Sequence, residues 1–125
     1  MGKKALVTGN HTGIGKAISE FLVANGYEVP LVVRSSDYDL RKSEDCKKLA
    51  NDFIQEHGQM DLLVNNIGNY ETGYIDDYSE EAWREMFASN TDSVFFMTKY
   101  LIRELRKTKG KIINLGFCGL EKLSA

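Results

Sequence analysis

The sequence has few of the features that mark specialised classes of protein. Its 125 residues contain one proline and only two cysteines, Cys46 and Cys118. Because the cysteines show neither metal-ligand nor redox-pair spacing, we predict buried, reduced thiols rather than a disulfide, a nucleophile or a metal site. No apolar run approaches the roughly 20 residues of a membrane span, and residues 1–4 lead into a stretch too short for a signal peptide. We therefore expect a cytoplasmic protein without a membrane partner.

An excess of basic charge is also missing. The formal net charge of −2 at pH 7 offers no basic face to a nucleic-acid backbone, so no nucleic-acid partner is expected. With 42% hydrophobic and 27% charged residues, the composition is that of an ordinary globular domain. The length suits one hydrophobic core, and we predict a single domain over residues 1–125.

Four short apolar runs predict buried strands, at residues 5–7, 31–33, 62–64 and 112–113. They do not alternate polar with apolar residues, which is typical of strands covered on both faces of a parallel sheet. Pro30 is expected to open the second strand. Because proline is unfavourable in a fully paired central strand, we expect this strand near an edge of the sheet.

Three amphipathic patterns between these runs predict helices. The second helix should start after Ser43 and end before Gly58, and the third should occupy residues 79–109, with an apolar arc wide enough to contact another helix or subunit. The first helix should end at Asn25 and Gly26. Its apolar stripe consists of Ile14, Ala17, Ile18, Phe21 and Leu22. Strands alternating with helices and joined by right-handed crossovers predict a doubly wound α/β sheet.

A glycine-rich turn joins the first strand to the first helix. Glycine permits positive φ angles and lets a pyrophosphate approach without a Cβ in its path, while the helix N-terminus offers free N–H groups. No Lys-Ser or Lys-Thr follows, which disfavours the P-loop of ATP- and GTP-binding proteins. His11 is interpreted as a loop residue near the cofactor rather than a metal ligand. The predicted cofactor-binding residues of this turn are Thr8, Gly9, Asn10, His11, Thr12, Gly13, Ile14 and Gly15.

The glycine spacing resembles the cofactor signature of the short-chain dehydrogenase/reductase family. A second segment, Asn65-Asn66-Ile67-Gly68, follows the third apolar run and is similar to the family's Asn-Asn-Ala-Gly motif. The resemblance covers the whole chain and implies that these four residues also bind an NAD(P) cofactor. It implies a Rossmann-type doubly wound parallel sheet with strand order about 3-2-1-4-5, in which the third strand is reduced or missing and which is truncated before the C-terminal strands.

The resemblance also points to the residues around the adenosine of the cofactor. Asp39 and Leu40 look like the family's pair that lies against the adenine, although only residues 35–38 separate them from the end of the second strand. An acidic residue at that strand end favours NAD, whereas arginine favours NADP. Arg34 and Ser35 therefore favour NADP, and the nearby Asp37 keeps NAD as the alternative.

The catalytic residues that the resemblance implies are incomplete. Asn90 stands at the place of the family's active-site asparagine, which holds a water in the proton relay; the alternative is a buried amide bonded to the backbone. Phe117 occupies the position of the family's serine, and the family's tyrosine and lysine are absent. Tyr38 and Lys42 match the bare Tyr-x-x-x-Lys pattern, but they precede the third apolar run, and we interpret the match as coincidence.

Together these residues imply an NADP-dependent oxidoreductase that transfers hydride to or from a small carbonyl or alcohol substrate, for example of the 3-oxoacyl reductase type. The resemblance implies a homodimer or homotetramer formed through the helix at 79–109. Residues 1–125 alone are expected to be inactive. Two other hypotheses stay open, a catalytically inactive dinucleotide-binding or sensor protein and a Rossmann-like interaction domain that binds no dinucleotide.

Overall fold

Strands and helices alternate along the chain. The computed structural model describes residues 2–68 and 73–116. The elements are, in order, β1 (Lys3–Val7), α1 (Gly13–Ala24), β2 (Tyr27–Glu28), α2 (Ser43–His57), β3 (Leu62–Asn65), a 3-10 turn (Ile75–Asp77), α3 (Glu80–Phe87), a π-helical turn (Ala88–Asp92), α4 (Ser93–Thr108) and β4 (Lys111–Asn114). No helix among the described residues is long and apolar enough to cross a membrane.

The strands form one parallel sheet in the order β2-β1-β3-β4. Its register aligns Leu6 with Leu63 and Leu63 with Ile112. The order confirms the predicted Rossmann-type sheet, with the second strand at an edge and no strand within residues 29–42. The chain crosses from β2 over β1 to β3, so the carboxyl ends of β1 and β3 flank the point where ligands bind in such sheets.

The second strand is shorter and lies earlier than predicted. β2 ends before Pro30, and the apolar run at residues 31–33 belongs to no strand, so that prediction is wrong. Pro30 has no N–H with which to continue the ladder. The Asn10 side chain takes the place of a neighbouring strand, because its Nδ2 donates to the Leu31 carbonyl at 3.0 Å and its Oδ1 accepts from the Val33 N–H at 2.7 Å.

The main core lies between the sheet and the helices α2 and α4. Phe53 of α2 and Met97 of α4 are fully buried and pack with strand residues in one cluster. α2 begins at Ser43 rather than after it, and the Ser43 hydroxyl lies 2.7 Å from the Tyr100 hydroxyl instead of capping the helix. Cys46 is buried there, and burial raises the pKa of its thiol to about 12. This agrees with the predicted unreactive thiol; Cys118 lies outside the described residues.

On the opposite face of the sheet, α1 is the only helix among the described residues. Of the predicted apolar stripe, Leu22 is buried, but Ile14 and Phe21 are 69% and 67% exposed. They line an apolar groove of about 450 Å³ together with Ile113 and Leu115 of the β4 region. The stripe is less buried than its amphipathic pattern predicts, because no second helix of the described chain packs beside α1.

The predicted helix over residues 79–109 is confirmed at its ends but not in its middle. The Ser79 hydroxyl accepts a hydrogen bond from the Ala82 N–H at 3.0 Å and caps α3. Lys109 ends α4 in the left-handed conformation, with φ of 53°. Between the two helices, the π-helical turn contains Asn90. Such turns widen a helix locally and are frequent at functional sites.

Candidate functional site

The glycine-rich turn leads from β1 into α1, as predicted. Gly9 and Gly13 have φ of 65° and 57°, a conformation that favours glycine. A Cβ at Gly15 would lie 2.3 Å from the Gly9 carbonyl oxygen and 2.5 Å from Asn66 Nδ2, so the helix can pack against the turn only with glycine there. A Cβ at Gly13 would meet no atom within 4 Å. The turn therefore opens at Gly13 onto space that a ligand can enter.

The N-terminus of α1 is available to an anion. Thr12 precedes the helix in an extended conformation, its side chain makes no capping hydrogen bond, and the first turn carries no acidic residue. Thr12, Gly13 and Ile14 are exposed. The first N–H groups of the helix and the positive end of its dipole thus face solvent. Together with the open turn, they fit the pyrophosphate of a dinucleotide.

Thr8 joins the two predicted motifs. Its Oγ1 accepts hydrogen bonds from the N–H groups of Asn66 at 2.9 Å and of Ile67 at 3.2 Å. In return, Asn66 Nδ2 donates to the carbonyl oxygens of Thr8 at 3.1 Å and Gly9 at 3.3 Å. Thr8 is only 1% exposed. The hydroxyl therefore fixes the second motif beside the glycine turn.

Asn65 and Asn10 are nearly buried, and their amides hold together the segments around the site. Asn65 is 5% exposed, and its Nδ2 donates to Oδ1 of Asn114 at 2.8 Å, which links β3 to β4. Asn10 is also 5% exposed, and its amide is occupied by the segment at residues 31–33. That segment leads directly to Arg34, so Asn10 positions the residue predicted to choose the cofactor.

Asn90 lies beside the end of the second motif. A Cβ at Gly68 would be 2.3 Å from Asn90 Oδ1, so a larger residue there would displace the Asn90 side chain. Asn90 Nδ2 donates to the Met86 carbonyl at 2.8 Å. The bond to a backbone carbonyl agrees with the alternative hypothesis, but the Asn90 residue is exposed rather than buried. Phe117, at the position of the family's serine, lies outside the described residues.

Arg34 lies in a groove that runs along α1. The groove has a volume of about 500 Å³ and is also lined by His11, which lies within the glycine turn, and by Lys16, which directly follows it. All three residues are exposed. The two cationic side chains and the imidazole suit a phosphate group, and one carboxylate, that of Glu20, also lines the groove. Sequence reasoning missed Lys16, although a lysine directly after the last glycine of the turn was a signal for it.

Ser35, Asp39 and Leu40 line a second cavity, of about 430 Å³, which also reaches Ile67. Arg34 and Ser35 were predicted to act together, but the structure places them on different cavities. Leu40 is 3% exposed and belongs to the core, so it forms the floor of the cavity. The cavity brings the predicted adenine residues next to the second motif.

Tyr38 and Lys42 lack the properties of a catalytic pair. The Tyr38 hydroxyl donates to Asp52 at 2.8 Å, and burial together with this carboxylate raises the pKa of Tyr38 to about 12. A general acid at neutral pH needs a shift in the other direction. The Lys42 side chain is 70% exposed. The geometry thus supports the interpretation of this match as coincidence.

Comparison with known proteins gives the following relatives. The family model described as short chain dehydrogenase matches residues 33–117. The 3-oxoacyl-(acyl-carrier-protein) reductase FabG of Vibrio cholerae is 33% identical, over 92% of this chain and 54% of its own. The 2-dehydro-3-deoxy-D-gluconate 5-dehydrogenase of Bacillus subtilis is 32% identical, over 91% of this chain and 52% of its own. The chain thus spans about half the length of these curated relatives.

A solved structure extends the comparison to the fold. The alcohol dehydrogenase of the archaeon Thermococcus sibiricus, in complex with 5-hydroxy-NADP, superimposes with a TM-score of 0.84 at 26% sequence identity. The match covers 90% of this chain and 57% of the archaeal chain. A protein of the same fold thus holds a derivative of NADP.

Proposed function

Because the chain belongs to the short-chain dehydrogenase family, we propose that it binds the cofactor of an NAD(P)-dependent oxidoreductase. The observation that carries this proposal is the open glycine turn, in which Gly13 faces free space at the uncapped start of α1. In this proposal residues 1–125 form a single dinucleotide-binding domain that is an incomplete member of the family. They would hold the cofactor without completing the reaction alone.

When bound, the nicotinamide of the cofactor gives a hydride to a carbonyl or takes one from an alcohol. The residues of this chain bind and orient. The α1 N-terminus and Gly13 hold the pyrophosphate, and Thr8 keeps the second motif against the turn. Asn90 places its exposed amide beside Gly68, where we propose that it holds a water of the proton relay.

The substrate class follows from the relatives alone. One is named for reducing a 3-oxoacyl group and another for dehydrogenating a sugar acid. We therefore propose a small-molecule carbonyl or alcohol substrate, with the 3-oxoacyl reductase type as the leading example.

An exposed aromatic surface on α3 and α4 supports an oligomer. Trp83, Phe87 and Phe95 are 52%, 47% and 60% exposed. The Trp83 and Phe87 rings are in contact, with centroids 4.8 Å apart, and large apolar side chains grouped in this way are typical of protein–protein interfaces. We propose that two copies pair through these helices, as a homodimer or as part of a homotetramer.

The proposed preference for NADP is tested together with cofactor binding by thermal unfolding. NADPH at about 100 times its dissociation constant should stabilise the protein by roughly 2.7 kcal/mol, and NADH at the same concentration should stabilise it less. Arg34→Ala should remove the difference, by weakening NADPH about tenfold through the loss of a charged contact with the 2′-phosphate. Arg84→Ala, which removes an exposed guanidinium from α3, is the matched control. It should change the binding affinity for neither cofactor.

The outcomes of this experiment separate the hypotheses. An equal loss of NADPH and NADH affinity in Arg34→Ala would contradict the preference for NADP. If neither cofactor raised the unfolding temperature of the wild type, the remaining hypothesis would be a Rossmann-like interaction domain that binds no dinucleotide. The inactive sensor is favoured by Phe117 at the serine position. The sensor hypothesis predicts that the protein encoded by the gene binds the cofactor but does not oxidise NADPH when a carbonyl compound is added.

A further inference from the structure

The loop at residues 34–42 is fastened to helices on two sides. It contains turns but no helix or strand. On one side, the Tyr38 hydroxyl donates to Asp52 of α2 at 2.8 Å. On the other side, the Arg41 guanidinium forms an ion pair with Glu85 of α3, 44 residues later in the sequence. The loop is therefore held over the second cavity rather than left free.

Arg41 has all three guanidinium nitrogens engaged by carboxylates. Its Nε and Nη2 donate to the two oxygens of Asp39, each at 2.9 Å, and its Nη1 donates to Glu85. Such forked pairing fixes the plane of the guanidinium. The Arg41 hydrogen bond is also the main reason why the pKa of Asp39 lies below its usual value, so the pair stays ionised at neutral pH.

This ionic clasp of Asp39, Arg41 and Glu85 borders the cavity of about 430 Å³ that contains Leu40 and Ile67. The aliphatic side chains supply apolar surface. Three of the five N–H groups of the Arg41 guanidinium are directed to carboxylates, so its plane is held in place beside the cavity that Arg41 lines. Guanidinium planes with this environment stack on nucleobases.

We propose that Arg41 is a cofactor-binding residue that contacts the adenine ring and that its clasp with Asp39 and Glu85 closes the outer side of the adenine cavity. The inference rests on the proposed dinucleotide function. It adds a residue outside the glycine turn and the second motif, and it gives Asp39 a different role from the predicted direct one, since its carboxylate holds Arg41.

The test compares Arg41→Ala, Arg41→Lys and Glu85→Gln in the protein as its own gene encodes it. Lys42→Ala is the matched control, because it removes the neighbouring cation, which lies 4.0 Å from Asp39 and does not line the cavity. Dissociation constants are measured for NADPH, for uncharged adenosine and for reduced nicotinamide mononucleotide, which lacks adenine. The unfolding temperature of every variant is recorded, and Arg41 and Glu85 are exposed enough for their replacement to leave the fold intact.

We expect Arg41→Ala and Glu85→Gln to weaken NADPH and adenosine about three- to tenfold, the range of an exposed ion pair with a stacking contact. Arg41→Lys keeps the positive charge but should restore little of the lost affinity, because lysine lacks the planar guanidinium group. Nicotinamide mononucleotide binding and Lys42→Ala should change less than twofold. Unchanged or tighter adenosine binding by Arg41→Ala would overturn the clasp while leaving the proposed function intact. Absence of NADPH binding by the wild type would overturn both.

Discussion

Gly13→Ala is expected to weaken NADPH binding about 100-fold or more, equivalent to about 2.7 kcal/mol. Gly13 has φ of 57° and faces open space, so a Cβ there projects into the path of the pyrophosphate. The substitution also strains the backbone, at a cost of about 1 kcal/mol in the free energy of unfolding. Titration of the purified variant with NADPH, followed calorimetrically, gives the affinity.

Gly58 provides a matched control for this substitution. It has φ of 78° at the C-terminus of α2, and a Cβ there also meets nothing within 4 Å. Gly58→Ala should therefore lower stability by a similar amount and leave NADPH binding unchanged. Equal affinities in the two variants would show that the turn at Gly13 is only a connection between strand and helix.

Thr8→Val should lower the free energy of unfolding by about 2–4 kcal/mol. The substitution nearly preserves shape but removes the oxygen that accepts from the N–H groups of Asn66 and Ile67. A fully buried donor left without an acceptor costs about 1–3 kcal/mol, and the two donors here are half-buried, so the expected sum lies below twice the upper end of that range. Urea denaturation measures the loss, and cofactor affinity should fall with it because the second motif is no longer fixed.

Thr8→Ser keeps the hydroxyl and removes only a methyl group. We expect it to recover most of the stability and the NADPH affinity lost in Thr8→Val. If Thr8→Ser were as unstable as Thr8→Val, the methyl packing rather than the hydrogen bonds would join the two motifs, contrary to the interpretation given above.

The sequence predicted those elements whose pattern depends on burial in the sheet. The apolar runs at residues 5–7 and 62–64 became β1 and β3, whose residues in these runs are buried, as expected of strands covered on both faces of a parallel sheet. The run at 112–113 became β4, although Ile113 is 46% exposed. The run at 31–33 has the same composition but is paired by the Asn10 side chain. That hydrogen bonding spans more than 20 residues, and local periodicity cannot reveal it.

The candidate site was predicted where the glycines of the turn have local causes, and it was missed where tertiary contacts decide. Positive φ and close packing explain Gly9, Gly13 and Gly15, and each could be inferred from the turn itself. The π-helical turn around Asn90 could not be predicted from the sequence, because one widened turn hardly alters the spacing of the apolar residues along a helix. The pairing of Arg41 with Glu85 depends on α3 folding back beside the loop.

Mapping NADPH onto the backbone amides by nuclear magnetic resonance tests the central claim most directly. The amide signals of residues 9–16 should shift strongly on titration, because the pyrophosphate binds at the start of α1. Smaller shifts should occur at residues 34–41 and 66–68, around the two cavities. Shifts confined to the apolar groove around Phe21 and Ile113, or no shifts at all, would contradict dinucleotide binding at the glycine turn.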